Sequence, residues 1–141
     1  MKTDIMGIAF DNVTMQEALQ KAREMLSGGK TCYAVTPNAE IAYEALRDES
    51  LRALLNEADL VLPDGAGVVL ASKILKTPLQ QKVAGVDFAD GLLGMLAQNG
   101  KSVYLLGSKP GIAELAAEKM REKHPGLTIC GMHDGYFKDE A

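Results

Sequence analysis

Two hydrophobic periods alternate along the chain. Ile5 to Phe10 is a short apolar run, read as a strand or as a hairpin with the stretch after Asp11. Met15, Ala18, Leu19, Ala22, Met25 and Leu26 then recur on one helical face, behind a Thr14–Glu17 capping box and ahead of the stop signal Ser27-Gly28-Gly29. Thr31 to Thr36 is β-rich and ends at Pro37. Helices are expected from about Ala39 to Arg47 and from Ser50 to Glu57. Leu60 to Leu62 reads as a buried strand closed by Pro63. Gly65 to Leu75 has few polar residues, which predicts a well-buried helix. Thr77 to Ala84 is irregular. Asp87, with Asp90 at the capping-box position, predicts a helix start running to Asn99. Ser102 to Leu106 is the next strand, and a helix with Pro110 near its first turn runs to Lys123. His124-Pro125-Gly126 breaks it, Leu127 to Cys130 is a last strand, and Gly131 to Phe137 a loop.

Strands that alternate with helices at this spacing pair in parallel through right-handed crossovers. The expected fold is therefore α/β and Rossmann-like: a mostly parallel sheet with helices on both faces. No repeat, linker or low-complexity tract interrupts it, so residues 1–141 read as one domain.

Composition narrows the function classes. With 47% apolar and 24% charged residues the chain can bury a core, which excludes disordered and collagen-like classes. No apolar run approaches the roughly 18 residues of a membrane span. Asp4, Asp11 and Glu17 near the start, with no apolar core between them, argue against a signal peptide, so a cytoplasmic location is expected. The net charge of −4 argues against nonspecific nucleic-acid binding. Cys32 and Cys130 lie in strand-like runs and read as buried thiols rather than a disulfide pair. The chain is expected to have no basic amphipathic helix of the interfacial kind, and its acidic balance to oppose binding to an anionic leaflet.

Ligands of open parallel sheets bind beyond the carboxyl ends of the strands. Thr36, Pro37, Asn38 and Glu40 follow the Thr31 strand, and Pro63, Asp64 and Gly65 follow the Leu60 strand. Gly107-Ser108-Lys109-Pro110-Gly111 follows the Ser102 strand, and His133, Asp134, Gly135 and Tyr136 follow the last one. Asp64 reads either as the cap of the following helix or as a carboxylate usable as a general base. Thr36 and Asn38 read as helix caps or as ligands for a polar substrate. Glu40 complements a helix dipole, and His133 reads as an exposed loop histidine. The Gly107–Gly111 turn can present helix-start amides to a phosphate, with Lys109 adding charge. Its G-x-x-x-G spacing matches neither the dinucleotide fingerprint nor the P-loop, so an ordinary helix start remains an equal reading. Nothing has metal-ligand spacing.

Thr36-Pro37-Asn38-Ala39-Glu40, Leu62-Pro63-Asp64-Gly65, Val83-Ala84-Gly85-Val86-Asp87, Leu105 to Gly111 and Gly135-Tyr136-Phe137 occur in that order. Together they resemble the bacterial WecG/TagA/CpsF glycosyltransferases, and within them the N-acetylmannosaminyltransferases of wall teichoic acid synthesis. The resemblance implies transfer of N-acetylmannosamine from a UDP-sugar donor to the C4 hydroxyl of GlcNAc on undecaprenyl diphosphate. It also implies that configuration inverts and that no metal or other cofactor takes part. It implies that Asp64 is the general base, and that Thr36 and Asn38 touch the donor sugar or its phosphate. The turn with Gly107, Ser108, Lys109 and Gly111 is implied as part of the UDP site. Gly135 and Tyr136 would lie on the nucleoside side, and Asp87 would belong to substrate binding. Lys82 stands where relatives are expected to carry arginine, keeping the charge without the bidentate fork.

Relatives are expected to continue for about another hundred residues, so the chain reads as a truncated form of weak or no activity. In the longer protein the missing part is expected to bring the enzyme to the inner face of the cell membrane. Apolar surface left uncovered by that part predicts self-association. The alternative from another class is a noncatalytic Rossmann-type nucleotide-binding domain.

Overall fold

Met6 and Gly7 both adopt positive φ, 58° and 81°. That pair forms a mirror-image turn, whose twist suits a two-residue hairpin. In the computed structural model, which describes residues 1–138, it joins β1 (Lys2–Ile5) to β2 (Ile8–Asp11), with Ile5 opposite Ile8. The turn thus falls inside the apolar run, whose second half pairs with the residues before it; a hairpin forms, but its partner is not the stretch after Asp11. The chain divides into two compact units, the first Met1–Ala89 and the second beginning at Asp90.

In the first unit the capping box forms as expected. Glu17 N–H donates to Thr14 Oγ1 (3.2 Å) and Thr14 N–H to Glu17 Oε2 (2.8 Å), opening α1 (Met15–Ser27). β3 (Ala34–Val35) and β4 (Leu60–Val61) pair in parallel around α2 (Ala39–Ala45) and α3 (Glu49–Glu57). β3 is shorter than the β-rich run because Tyr33 N–H donates to the Asp59 carboxylate instead of the ladder. Ile5, Ile8, Phe10, Leu55, Val61 and Val68 form the core of this unit.

Asp11, at the end of β2, is the main polar exception in that core. Its side chain is 2% exposed. Oδ2 accepts from Val61 N–H (2.9 Å), and the ammonium groups of Lys21 and Lys2 lie at 2.9 and 3.3 Å from its oxygens. Burial pushes this carboxyl up. The Val61 and Lys21 hydrogen bonds and both lysine charges outweigh that and hold it below its ordinary value.

α4 (Ala66–Ile74) differs from expectation. Only Val68 and Ser72 are buried, whereas Leu70, Ile74 and the following Leu75 are exposed. Its apolar content predicts burial all round, but the helix packs by a single face. α5 (Gly85–Gln98) begins two residues before Asp87, so neither Asp87 nor Asp90 caps it.

In the second unit β5 (Ser102–Leu106) and β6 (Thr128–His133) are parallel neighbours joined through α6 (Ile112–Lys123). Pro110 lies near the first turn of that helix as expected, directly before Gly111, the N-cap. β6 extends into the expected loop. The register shifts between Val103 and Tyr104, where the Tyr104 ring lies over Gly131. A Cβ at Gly131 would come within 2.6 Å of that ring, so a side chain there would require the half-exposed Tyr104 ring to move. Leu93, Leu96 and Leu127 form the core of this unit. Asp90 receives Lys123 Nζ (2.8 Å) and His124 Nε2 (2.9 Å), clipping α5 to the end of α6. Those two hydrogen bonds hold its carboxyl below the ordinary value. Cys130 is exposed and Cys32 half-buried, so the expectation of two buried thiols fails. Cys130 lies in β6, and Cys32 lies in the irregular stretch just before β3. The fold is α/β with Rossmann-like parallel strand pairs. The strands are short, and pairing is confined to two-stranded sheets among the described residues.

Candidate active site

Parallel pairing sends the chain out of β3 and β4 at the same edge, and the first unit gathers three motifs there. Leu62 N–H donates to Val35 O (2.9 Å), carrying the β3–β4 register past the strand ends. The buried Pro37 and Pro63 then turn both chains away. Val83 N–H donates to Pro63 O (2.9 Å), which brings the third segment alongside. Asp64 Oδ2 next accepts from Gly85 N–H (3.1 Å), the first residue of α5.

Asp64 therefore does not cap the helix that follows it. Gly65 holds that position at φ 88°, with no side-chain cap. Asp64 instead reaches across to an orphan amide of α5. Its other oxygen, Oδ1, accepts no hydrogen bond among the described residues. A half-buried carboxylate with one oxygen fixed and the other without a partner can accept a hydrogen bond from a bound group.

The neighbours of Asp64 are packed closely enough to exclude side chains. A Cβ at Gly85 would meet Thr36 Oγ1 at 2.9 Å, and a Cβ at Gly67 would meet Ala39 Cβ at the same distance. Asn38 caps α2, its Oδ1 accepting from Ile41 N–H (3.0 Å), so the capping reading of Asn38 holds. Lys82 and Asp87 flank the Val83–Gly85 segment and are exposed, Asp87 within the first turn of α5.

The second unit joins its two motifs in the same backbone-driven way. Gly107 N–H donates to His133 O (3.0 Å), and Gly135 N–H donates to Ser108 O (2.8 Å). Gly107, Ser108 and Gly111 have φ of 137°, 65° and 88°. A serine in the left-handed region costs about 1 kcal/mol or more, and such strain collects at functional turns. A Cβ at Gly135 would lie 3.4 Å from both Gly107 Cα and Ser108 N. Lys109 and Tyr136 are exposed beside this turn, and Tyr136 N–H donates to Asp134 Oδ1 (2.7 Å). An open groove of about 390 Å³ runs along Tyr104, Leu106, Gly107, Ser108 and Ile112.

Within the first unit the structure thus brings together Thr36, Asn38 and Asp64. Within the second it brings together Gly107, Ser108 and Gly135, with Lys109, Gly111 and Tyr136 on the same turns. Among the described residues no group of three or more His, Cys, Asp or Glu is placed to hold a metal ion. The residues missed in the sequence are Gly85, as the amide donor to Asp64, and Gly67. Gly85 lies inside the Val83–Asp87 motif and Gly67 beside the Leu62–Gly65 motif, with no further linear signal of either role.

A profile of the WecG/TagA/CpsF glycosyl transferase family matches residues 3–141. The chain belongs to that family. Among relatives, a Bacillus spizizenii protein is 38% identical over 115 residues, 82% of this chain and 45% of its own length. A Staphylococcus aureus protein is 32% identical over 138 residues, 96% of this chain and 54% of its own. Both are named N-acetylglucosaminyldiphosphoundecaprenol N-acetyl-beta-D-mannosaminyltransferase. The chain spans about half the length of these relatives.

In this WecG/TagA/CpsF chain, Gly85→Ala is expected to lower stability by about 1–3 kcal/mol, as overpacking does. The Gly85→Ala/Thr36→Ala double variant should recover part of that loss, because the Thr36 oxygen and methyl are what the new Cβ meets. Urea melts of the three variants check it. Strict additivity would mean that the two side chains never compete for space.

Proposed function

We propose that the chain is a single α/β glycosyltransferase core serving an inverting transfer. N-acetylmannosamine moves from UDP-N-acetylmannosamine to the C4 hydroxyl of GlcNAc on undecaprenyl diphosphate, as in the linkage unit of wall teichoic acid. The observation that carries this reading is the Asp64 carboxylate, anchored through one oxygen by Gly85 N–H beside Thr36 and Asn38. The names of the relatives support the transferred sugar and the acceptor lipid.

Inversion in one step needs one base. Asp64 Oδ1 takes the proton of the acceptor hydroxyl as that oxygen bonds to the anomeric carbon. The bond from that carbon to the diphosphate oxygen breaks, and its electron pair leaves with UDP. The leaving diphosphate is given to the amides of the Gly107-Ser108 turn and the Gly111 helix start, with Lys109 supplying positive charge, and Lys82 is assigned to substrate binding. Tyr136 with Gly135 is assigned to the nucleoside, and Thr36, Asn38 and Asp87 to substrate contacts. An acceptor on a polyprenyl carrier puts the working enzyme at the inner face of the cell membrane. Among the described residues no helix is long and apolar enough to cross one.

A thermal-shift panel tests the donor assignment. UDP at about a hundredfold excess over its Kd should stabilise the fold by roughly 2.7 kcal/mol. Stabilisation by NAD or ATP without any by UDP would replace this reading with a noncatalytic nucleotide-binding domain.

A further inference from the structure

Between Gly65 and Val86 the chain carries Lys73, Lys76 and Lys82 and not one Asp, Glu or His, although its net charge is −4. None of the three lysines makes an ion pair among the described residues. α4 occupies the first half of this acid-free stretch, and its rotation is fixed from within. Val68 and Ser72 point into the first unit. Ser72 Oγ donates to Val69 O (2.6 Å) and accepts from the N–H of buried Leu79 (3.1 Å), so the segment after the helix folds back onto the same side. Lys76, at φ 60°, makes the turn.

On the helical wheel Leu70 and Ile74 lie opposite Val68 and Ser72, one turn apart from each other. They are 59% and 71% exposed, and Leu75 is 52% exposed. Lys73 sits on the same outward side. The result is an apolar ridge edged by ammonium groups, whose stems can lie along it while their charges reach outward. This is the interfacial pattern that the linear sequence hides, because nearly every other α4 position is apolar as well.

We propose that the outward face of α4 docks on the headgroup layer of an anionic bilayer. Charge decides between occupants. A second copy placed face to face on this ridge would set Lys73 and Lys76 against their own counterparts, and like charges so placed oppose association. An anionic leaflet attracts all of them while taking Leu70, Ile74 and Leu75 into its outer apolar layer. Only Gly65 separates Asp64 from the start of α4, so docking by this face holds that carboxylate close to the membrane surface. The proposal stands on the surface alone and does not depend on the transfer reading, since Asp64 takes no part in it.

Vesicle flotation tests it. The chain should bind vesicles containing phosphatidylcholine and about one-third phosphatidylglycerol, bind phosphatidylcholine alone weakly, and detach as salt is raised. Lys73→Gln/Lys76→Gln should lower the partition about tenfold or more, each lysine being worth roughly fivefold. Leu70→Gln/Ile74→Gln should lower it at least as much. Lys101→Gln/Lys119→Gln in the second unit should leave it unchanged. All of these side chains are exposed, so circular dichroism should show the parent fold throughout. Absence of binding to the anionic vesicles, or binding that ignores the α4 variants, overturns the proposal. So does a Leu70→Gln/Ile74→Gln variant that turns a sedimenting dimer into a monomer with vesicle binding unchanged; that would assign the ridge to a second copy.

Discussion

Asp64→Asn should lower glycosyl transfer by about two to four orders of magnitude, the usual contribution of a positioned general base. The substitution is close to isosteric. The asparagine oxygen can still accept from Gly85 N–H, so the start of α5 and the packing of Thr36 against it should survive. What is lost is a basic atom at the Oδ1 position. The proposed role predicts a specific split: transfer collapses, while thermal stabilisation by UDP persists, because the base acts on the acceptor. The measurement is transfer from UDP-N-acetylmannosamine to a lipid-linked GlcNAc acceptor by the complete protein. Transfer at the parent rate would remove Asp64 as the base. Loss of both transfer and UDP stabilisation would instead mean that Asp64 holds the site together.

Asp11→Ala should cost about 2–4 kcal/mol of folding stability. The figure combines a buried Val61 N–H left without its acceptor and the loss of charged hydrogen bonds. Lys2 and Lys21 are each about two-fifths exposed and return to water, which keeps the cost below that of a fully buried pair. Asp11→Asn keeps an acceptor for Val61 and should cost less. The pH dependence has a definite sign. The folded-state pKa of Asp11 lies below its ordinary value, so its stabilisation is fully present above the unfolded value of about 3.9. It is lost as pH falls through the lower, folded-state value. Urea melts of the parent and Asp11→Asn should therefore differ most near neutrality and converge in acid. A gap that widened on acidification would contradict the direction of the shift.

Signals carried by residues close together in the chain are legible in the sequence. Thr14 and Glu17 specify a capping box because both partners lie within one turn. Asn38 caps α2 by the same short-range logic. The parallel pairing of β3 with β4 and of β5 with β6 follows from strand-helix-strand alternation, which leaves the chain little other way to return. Where the linear pattern misleads, a distant partner has taken over. Asp87 looks like a helix cap, but α5 starts at Gly85, whose N–H finds its acceptor in Asp64, 21 residues before it. Gly131 to His133 looks like loop, but β5 offers a ladder that extends β6.

The sequence by itself determined the α/β class, the order of the elements, the ordered motifs that mark the family, and Asp64 as the carboxylate to examine. Periodicity, caps and proline stops act over a few residues, so they can be read along a line. Only the tertiary structure decided which oxygen of Asp64 is held, why Gly85 must lack a side chain, and which face of α4 looks outward. Each of those depends on atoms brought together by chain segments far apart in sequence. Hydrophobic pattern counts apolar residues, but it cannot say which of them the rest of the fold will cover.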